Sequence, residues 1–249
     1  MTNDPPRYAE LHCTSNFSFL DGASHPEELV ARAAALGYEA IAITDRATLT
    51  GIVRAHGAAK EAEIKLVIGA FLELVDAAPL VVWVADRNGY ANLCQLLTHG
   101  YARAAEQDGD QRTGDDDDVL PASTAGRCLL SLDDVGRHAR GLFAGVPLAS
   151  LLSNTPTVRG KSHPWPFSTL ADHEKAEVFH GRRSPHRAAA DYSHSLPTEL
   201  SGDDTLQAAT KKIAAWRDVF GDRLHALAEV ALEGDDAARL LWFGRVARR

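Results

Sequence analysis

Two short apolar runs, each delivering a polar residue at its end, constrain this chain more than any other feature. Tyr8-Ala-Glu-Leu-His-Cys reads as a strand over residues 7–13 that carries His12. Gly37-Tyr-Glu-Ala-Ile-Ala-Ile-Thr-Asp-Arg reads as a second strand, Glu39 to Thr44, that delivers Asp45. Its core is apolar throughout, as expected of a strand covered on both faces. Between them lies a helix. Ser24-His-Pro-Glu has the form of a capping box, with Ser24 at the cap and Glu27 reaching back. Pro26 suits the first turn, where a missing N–H costs little. Leu29, Val30, Ala33, Ala34 and Leu36 form the apolar face, and Gly37 is a C-terminal stop. Strand, helix and strand in this order predict a parallel pair. In parallel barrels the C-terminal strand ends converge on one face. His12 and Asp45, far apart in sequence, are therefore expected near each other, in a metal or catalytic geometry.

The pattern continues with a helix over Leu49–Ala62, a strand over Ile64–Gly69, a strand over Leu80–Ala85 and a helix over Asn88–Ala105. This order predicts an α/β fold with a largely parallel sheet. Residues 106–126 contain Asp115-Asp-Asp-Asp and read as a solvated acidic loop. The run lacks the spacing and turn glycine of a calcium loop. Cys128–Leu132 and Gly141–Val146 are expected strands around a short helix at Leu132–Arg140. Residues 153–203 are rich in Ser, Thr, Pro, His and Arg without periodicity, and read as irregular. Their histidines, His163, His173, His180, His186 and His194, read as solvated loop residues. A helix over Asp204–Val219 with Leu206, Ile213 and Trp216 inward, a strand over Leu224–Leu232 and a helix over Gly234–Ala247 complete the chain. Residues 1–7 read as a disordered leader.

Composition narrows the function. Apolar residues make up 45% of 249 residues, enough for a sizeable core. The formal net charge of −8 argues against a free-standing nucleic-acid binder. Three cysteines, Cys13, Cys94 and Cys128, give neither a disulfide framework nor a zinc motif, and read as reduced thiols of a cytoplasmic protein. Cys13 should face away from His12 across the strand. The start is polar, without a signal-peptide core, and no stretch is apolar enough to span a membrane. Of the other histidines, His25 is expected at the surface and His99 at a helix end. The Trp and Phe residues are not interleaved with Lys and Arg, so they read as core rather than as base-stacking platforms.

The run Glu10-Leu-His-Cys-Thr-Ser-Asn-Phe-Ser-Phe-Leu-Asp-Gly-Ala-Ser-His-Pro-Glu-Glu-Leu, followed by Ala-Ile-Thr-Asp, resembles the polymerase-and-histidinol-phosphatase (PHP) domain. More narrowly, it is similar to the N-terminal PHP domain of error-prone bacterial C-family DNA polymerases. Gly51-Ile-Val-Arg-Ala-His-Gly-Ala-Ala-Lys-Glu-Ala, Leu66-Val-Ile-Gly and Gly89-Tyr-Ala-Asn-Leu-Cys-Gln-Leu-Leu extend the resemblance. It covers residues 8 to about 102, and returns more weakly at Trp216–Leu241. It implies an α/β fold, a distorted, incomplete (β/α)7 PHP-type barrel. Residues 8–105 would form its N-terminal half and 127–249 a divergent C-terminal part, in a fragment of a longer polymerase or a shortened paralogue.

The resemblance also implies a metal site at the barrel mouth, where divalent ions activate water for phosphoester hydrolysis. Its ligand pattern is depleted here. His12 matches the first His of His-x-His, but Thr14 stands at the second. Asp45 matches the Asp of Asp-His, but Arg46 replaces the His. Phe71 occupies a Glu position, with Glu73 two residues on. Ala78-Pro79-Leu80 lacks an expected His, and a late Asp-x-His motif is missing. His12, Asp45 and Glu73 are the candidate metal ligands, and Arg46 is expected to compete with a metal for Asp45. The favoured expectation is a scaffold and interaction module with no cofactor. Its partners would be a DNA polymerase core or replication and repair proteins, with DNA reached only indirectly and no membrane contact. The alternative is a metal-dependent phosphoesterase or 3′–5′ exonuclease using Zn or Mn on the same three residues.

Overall fold

The computed structural model describes residues 8–109, 127–147 and 203–227. Strand β1 (Ala9–Cys13), helix α1 (Pro26–Ala35), strand β2 (Ala40–Ile43), helix α2 (Ile52–Glu61) and strand β3 (Lys65–Leu72) form two β-α-β turns. Strand β4 (Leu80–Val84), helices α3 (Arg87–Gly109) and α4 (Leu132–His138) and strand β5 (Leu142–Pro147) follow. Helix α5 (Asp203–Phe220), a 3-10 turn and strand β6 (Leu224–Leu227) end the described chain. The leader, most of the acidic loop, the irregular stretch with its histidines, the rest of the strand expected to reach Leu232 and the last expected helix lie outside the described residues.

The six strands stand in sequence order in one sheet. β1, β2 and β3 run parallel, as do β5 and β6, but β4 is antiparallel to both neighbours. The expectation of a largely parallel sheet is corrected at β4. The reason is length: only a short link through Pro79 joins β3 to β4, whereas a parallel return needs a crossover of roughly a dozen residues.

The sheet curls. In a flat sheet, β1 and β4 would stand about 14 Å apart at roughly 4.8 Å per strand. Yet the Trp83 indole Nε1 on β4 donates to the Leu11 carbonyl of β1 at 2.7 Å. Leu11, Val67, Trp83, Phe143 and Leu227, from both sheet ends and the strands between, line one cavity of about 350 Å³. The architecture is an α/β half-barrel, open between β1 and β6 among the described residues.

Alternation along the strands sorts the apolar side chains. Ile41 and Ile43 turn outward onto Val30, Ala33, Ile52, Ala55 and Ala59 of α1 and α2. Ala42, Val81 and Trp83 turn into the concave face. A larger core joins Leu72, Leu80 and Val82 to Leu93, Leu96 and Leu97 of α3, Val135 of α4, and Trp216 and Phe220 of α5. Trp83, Trp216 and Phe220 are thus core residues, as expected, whereas Phe19 and Phe143 are exposed, which corrects the expectation for those two. The three cysteines are free thiols. Cys13 packs toward the α1–α2 side, and burial pushes its thiol up to about 11.

The helix boundaries follow local chemistry, with corrections. The α1 cap is His25, one residue later than the expected Ser24, and its N–H donates to Glu28 rather than Glu27, at 2.8 Å. Pro26 then occupies the first helical position. Gly37 stops the helix as expected, at φ +74°. Helix α3 begins where Asp86 accepts the Gly89 N–H at 2.8 Å, and it runs past the expected end at Ala105. The expected strand at Cys128–Leu132 is a single bridge between Leu130 and Leu74. Ser131 ends the extended run because it caps α4.

That cap also carries a cluster of charged side chains. Asp134 accepts from the N–H and Oγ of Ser131 at 2.9 and 2.7 Å. Arg103 of α3 forks onto both its oxygens at 2.5 and 2.9 Å. The Arg103 hydrogen bonds, reinforced by Ser131, hold the Asp134 carboxyl well below its ordinary value of 3.8. A carboxyl with a depressed folded-state pKa stabilises the fold above its unfolded value and loses that contribution as pH falls toward the folded one. Acid titration of the wild type should show stability declining below about pH 4. Asp134→Asn should be less stable at neutral pH and flatter through the acid range, as read by urea midpoints at each pH.

Candidate functional site

His12, Asp45 and Glu73 stand at the C-terminal ends of the three parallel strands, as the sequence predicts for the first two. β-type pairing continues beyond β2: the Phe71 N–H donates to the Asp45 carbonyl at 3.0 Å, and the Ala47 N–H to the Phe71 carbonyl at 2.8 Å. This places Asp45 and Arg46 alongside the end of β3. The Tyr101 hydroxyl on α3 bonds the Ala47 carbonyl at 3.0 Å, where Ala47 adopts φ +48°.

Each candidate side chain has its own partners. Asp45 is 1% exposed. Its Oδ1 accepts from the Ser15 N–H at 2.7 Å and the Ser18 hydroxyl at 2.8 Å, and its Oδ2 from the Ser15 hydroxyl at 2.7 Å. Arg46 does not pair with Asp45, which corrects the expected competition for that carboxylate. Its guanidinium turns the other way. Nε and Nη2 reach Asp21 Oδ2 at 3.0 and 2.8 Å, and Nη1 reaches Glu73 Oε2 at 3.0 Å. The serines that satisfy Asp45 leave the cation free for the two outer carboxylates.

His12 Nδ1 lies 2.7 Å from Thr44 Oγ1, and its ring stacks on Phe71 at a centroid distance of 5.7 Å. Burial pushes the imidazole below the ordinary histidine value, against the opposing pull of Glu10. Phe71 also carries the Arg46 guanidinium at 6.0 Å from its ring centre. An aromatic ring thus stands between His12 and the Arg46–Glu73 pair.

The loop between β1 and α1 is fastened to this network. Ser18 Oγ accepts the Arg46 N–H at 2.8 Å, and Asp21 holds the Arg46 side chain. The Ser18 carbonyl accepts the N–H groups of Asp21 and Gly22 at 2.9 and 3.1 Å. Gly22 is required by close approach, since a Cβ there would stand 2.1 Å from the Ser15 carbonyl oxygen. Ser15, Ser18 and Asp21 were not singled out by sequence reasoning. Their only signal is two hydroxyls and a carboxylate in the turn after β1, and nothing local names a partner some thirty positions away.

Among the described residues, no group of three or more His, Cys, Asp and Glu side chains could hold a metal ion. The donor set as placed does not fit a divalent centre. Asp45 offers oxygens already occupied by three donors, and a guanidinium holds Asp21 and Glu73. Chemically, the arrangement joins three strand ends and one loop through hydrogen bonds and one shared cation.

A half-barrel of this order, with its polar cluster at the parallel strand ends, matches a known class. The PHP domain family model covers residues 10–159. That is more than half of this 249-residue chain, and the chain belongs to the PHP domain family. The error-prone DNA polymerase of Rhodopirellula baltica is 45% identical over 140 residues, which is 56% of this chain and 11% of that protein. The error-prone DNA polymerase of Ralstonia nicotianae is 53% identical over 122 residues, 47% of this chain and 11% of that protein. The chain thus spans about a tenth of the length of these relatives. A solved structure of a candidate metal-dependent phosphoesterase from Bifidobacterium adolescentis aligns at 17% identity over 71% of this chain and 75% of that one, with a TM-score of 0.42, too loose to argue from. No helix among the described residues is long and apolar enough to cross a membrane.

Proposed function

We propose that this chain is a structural and interaction module of the error-prone, C-family DNA polymerase system, non-catalytic in itself. Its partner on this reading is the polymerase core, with DNA met only through that partner. The observation that carries the proposal is the occupancy of the candidate ligands. The Asp45 carboxylate is spent on Ser15 and Ser18, and the Arg46 cation bridges Asp21 to Glu73. A two-metal phosphoesterase instead needs open carboxylates and imidazoles around ions some 3.5–4 Å apart. An internal cation does the neutralising that a metal would otherwise do, and it activates no water. The relatives' name supplies the polymerase context, and the net charge of −8 disfavours direct contact with a phosphate backbone.

The test is metal content by plasma mass spectrometry on the full chain purified without chelator and loaded with Zn or Mn. It is paired with exonuclease and phosphatase assays. His12→Ala and Glu73→Ala serve as comparisons. The expected outcome is no stoichiometric metal, no hydrolysis and no difference between variants. Stoichiometric metal together with hydrolysis, both lost in the two variants, would establish the phosphoesterase reading instead.

A further inference from the structure

The loop that the polar network fastens presents two large apolar side chains to solvent. Phe19 is 86% exposed and Leu20 75%. They are adjacent, at the tip of the turn between β1 and α1. Single exposed apolar residues are ordinary, but a contiguous pair on a fastened loop is not. The loop is anchored on both sides of the tip: Ser15 and Ser18 bond Asp45, and Asp21 bonds Arg46. The Asn16 N–H donates across the base of the turn to the Ser24 carbonyl at 2.9 Å. Leu20 itself sits at φ +68°. That region is unfavourable for a residue with a branched side chain, and such strain persists where surrounding structure enforces it, often at ligand clamps. Phe17, in the same turn, lies against the start of α2: a Cβ on Gly51 would be 3.0 Å from its ring. Val53, in the first turn of that helix, is 80% exposed.

We infer that Phe19 and Leu20 form a preorganised docking tip that inserts into an apolar pocket on the polymerase polypeptide. This rests on the interaction reading proposed above. Rigid presentation lowers the ordering cost of binding, which is what makes a small apolar anchor effective. The relatives supply the argument for the occupant, because the part matched here is 11% of each protein, and the remainder offers an extensive surface for such a pocket. The charge pattern disfavours other occupants. Residues 15–24 contain no Lys or Arg, and their one carboxylate is held by Arg46. An anionic lipid surface or a single-stranded nucleic acid would need basic residues beside the aromatic ring.

The experiment places a benzophenone amino acid at position 19 of the full chain, expressed in the organism that encodes it. Cross-linked products are identified by mass spectrometry, and the exposed His56 position on α2 serves as comparison. In parallel, Phe19→Ser/Leu20→Ser is purified and its co-purifying polymerase measured. Expected are a cross-link from position 19, not position 56, to a DNA polymerase polypeptide, and a drop of roughly tenfold or more in co-purification for the double variant. Its thermal midpoint should remain that of the wild type. Polymerase that co-purifies equally with wild type and double variant overturns the docking tip while leaving the interaction reading intact. Absence of polymerase from the wild-type purification overturns both. A cross-link to a second copy of this chain replaces the proposal with self-association.

Discussion

Asp45→Ala is expected to lower the stability of this protein by about 3 kcal/mol, read as a fall in the urea midpoint at unchanged m-value. The carboxylate is buried and accepts three hydrogen bonds. Removing it leaves the Ser15 N–H, the Ser15 hydroxyl and the Ser18 hydroxyl without their acceptor. An unsatisfied buried donor costs about 1–3 kcal/mol. The hydroxyls can rotate and recover part of the loss, so the sum falls below three full penalties. Against a total stability of typically 5–15 kcal/mol, the effect is large. Its sign also separates two roles for this residue. A carboxylate kept as one of several metal ligands is held near like charges, so in the metal-free protein its removal relieves repulsion and stability stays level or rises. A carboxylate that anchors a loop gives the opposite result. Asp45→Asn keeps the volume and one acceptor oxygen, and is expected to cost about half as much.

Trp216→Ala is expected to be more damaging still, at about 3–5 kcal/mol. Trp216 is 0% exposed and belongs to the larger core, with Phe220 at a ring-centroid distance of 6.3 Å. It ties α5 to α3, α4 and the antiparallel part of the sheet, so a cavity there loosens several elements at once. Trp216→Phe provides the contrast. Among the described residues, the buried indole Nε1 has no hydrogen-bond partner. Phenylalanine removes that N–H together with some volume, and the two changes offset each other. Its cost is expected to stay within about 1 kcal/mol, because a buried polar group without a partner is itself destabilising. Thermal midpoints of the two variants side by side check both values.

Electrostatics set how these effects depend on conditions. The Arg46 bridge is part-exposed, with the guanidinium side chain at 29%, so salt screens it and its share of the stability is modest. The Asp45 cluster is buried, and added salt should leave its contribution nearly unchanged. The mouth of the half-barrel is therefore held by two unlike devices, a dry hydrogen-bond cluster inside and a screened ion bridge outside.

How much of this was legible in the residues alone differs from element to element. The first strands and helices were, because each is announced by its own neighbours: Pro26 opens a helix, Gly37 closes it, and an unbroken Ala-Ile-Ala-Ile run makes a doubly covered strand. Family membership was legible for the same reason, since it rests on a continuous run of residues. The placing of His12 and Asp45 at one end of the sheet followed from the order of elements, whereas Glu73 was named only through the family resemblance. What tertiary structure decided was which groups those side chains would meet. Whether Arg46 turns to Asp45 or away from it depends on two serine hydroxyls that arrive from another loop. Neither their direction nor their distance is encoded in local spacing. The antiparallel β4 and the one-residue shift of the α1 cap, by contrast, rest on local features, the short link through Pro79 and the His25–Glu28 bond, that the order of elements does not specify. Local sequence fixed the elements because propensities and caps act over a few residues. The character of the site was set by long-range contacts, because a carboxylate takes its role from its partners, and those partners come together only when the sheet curls.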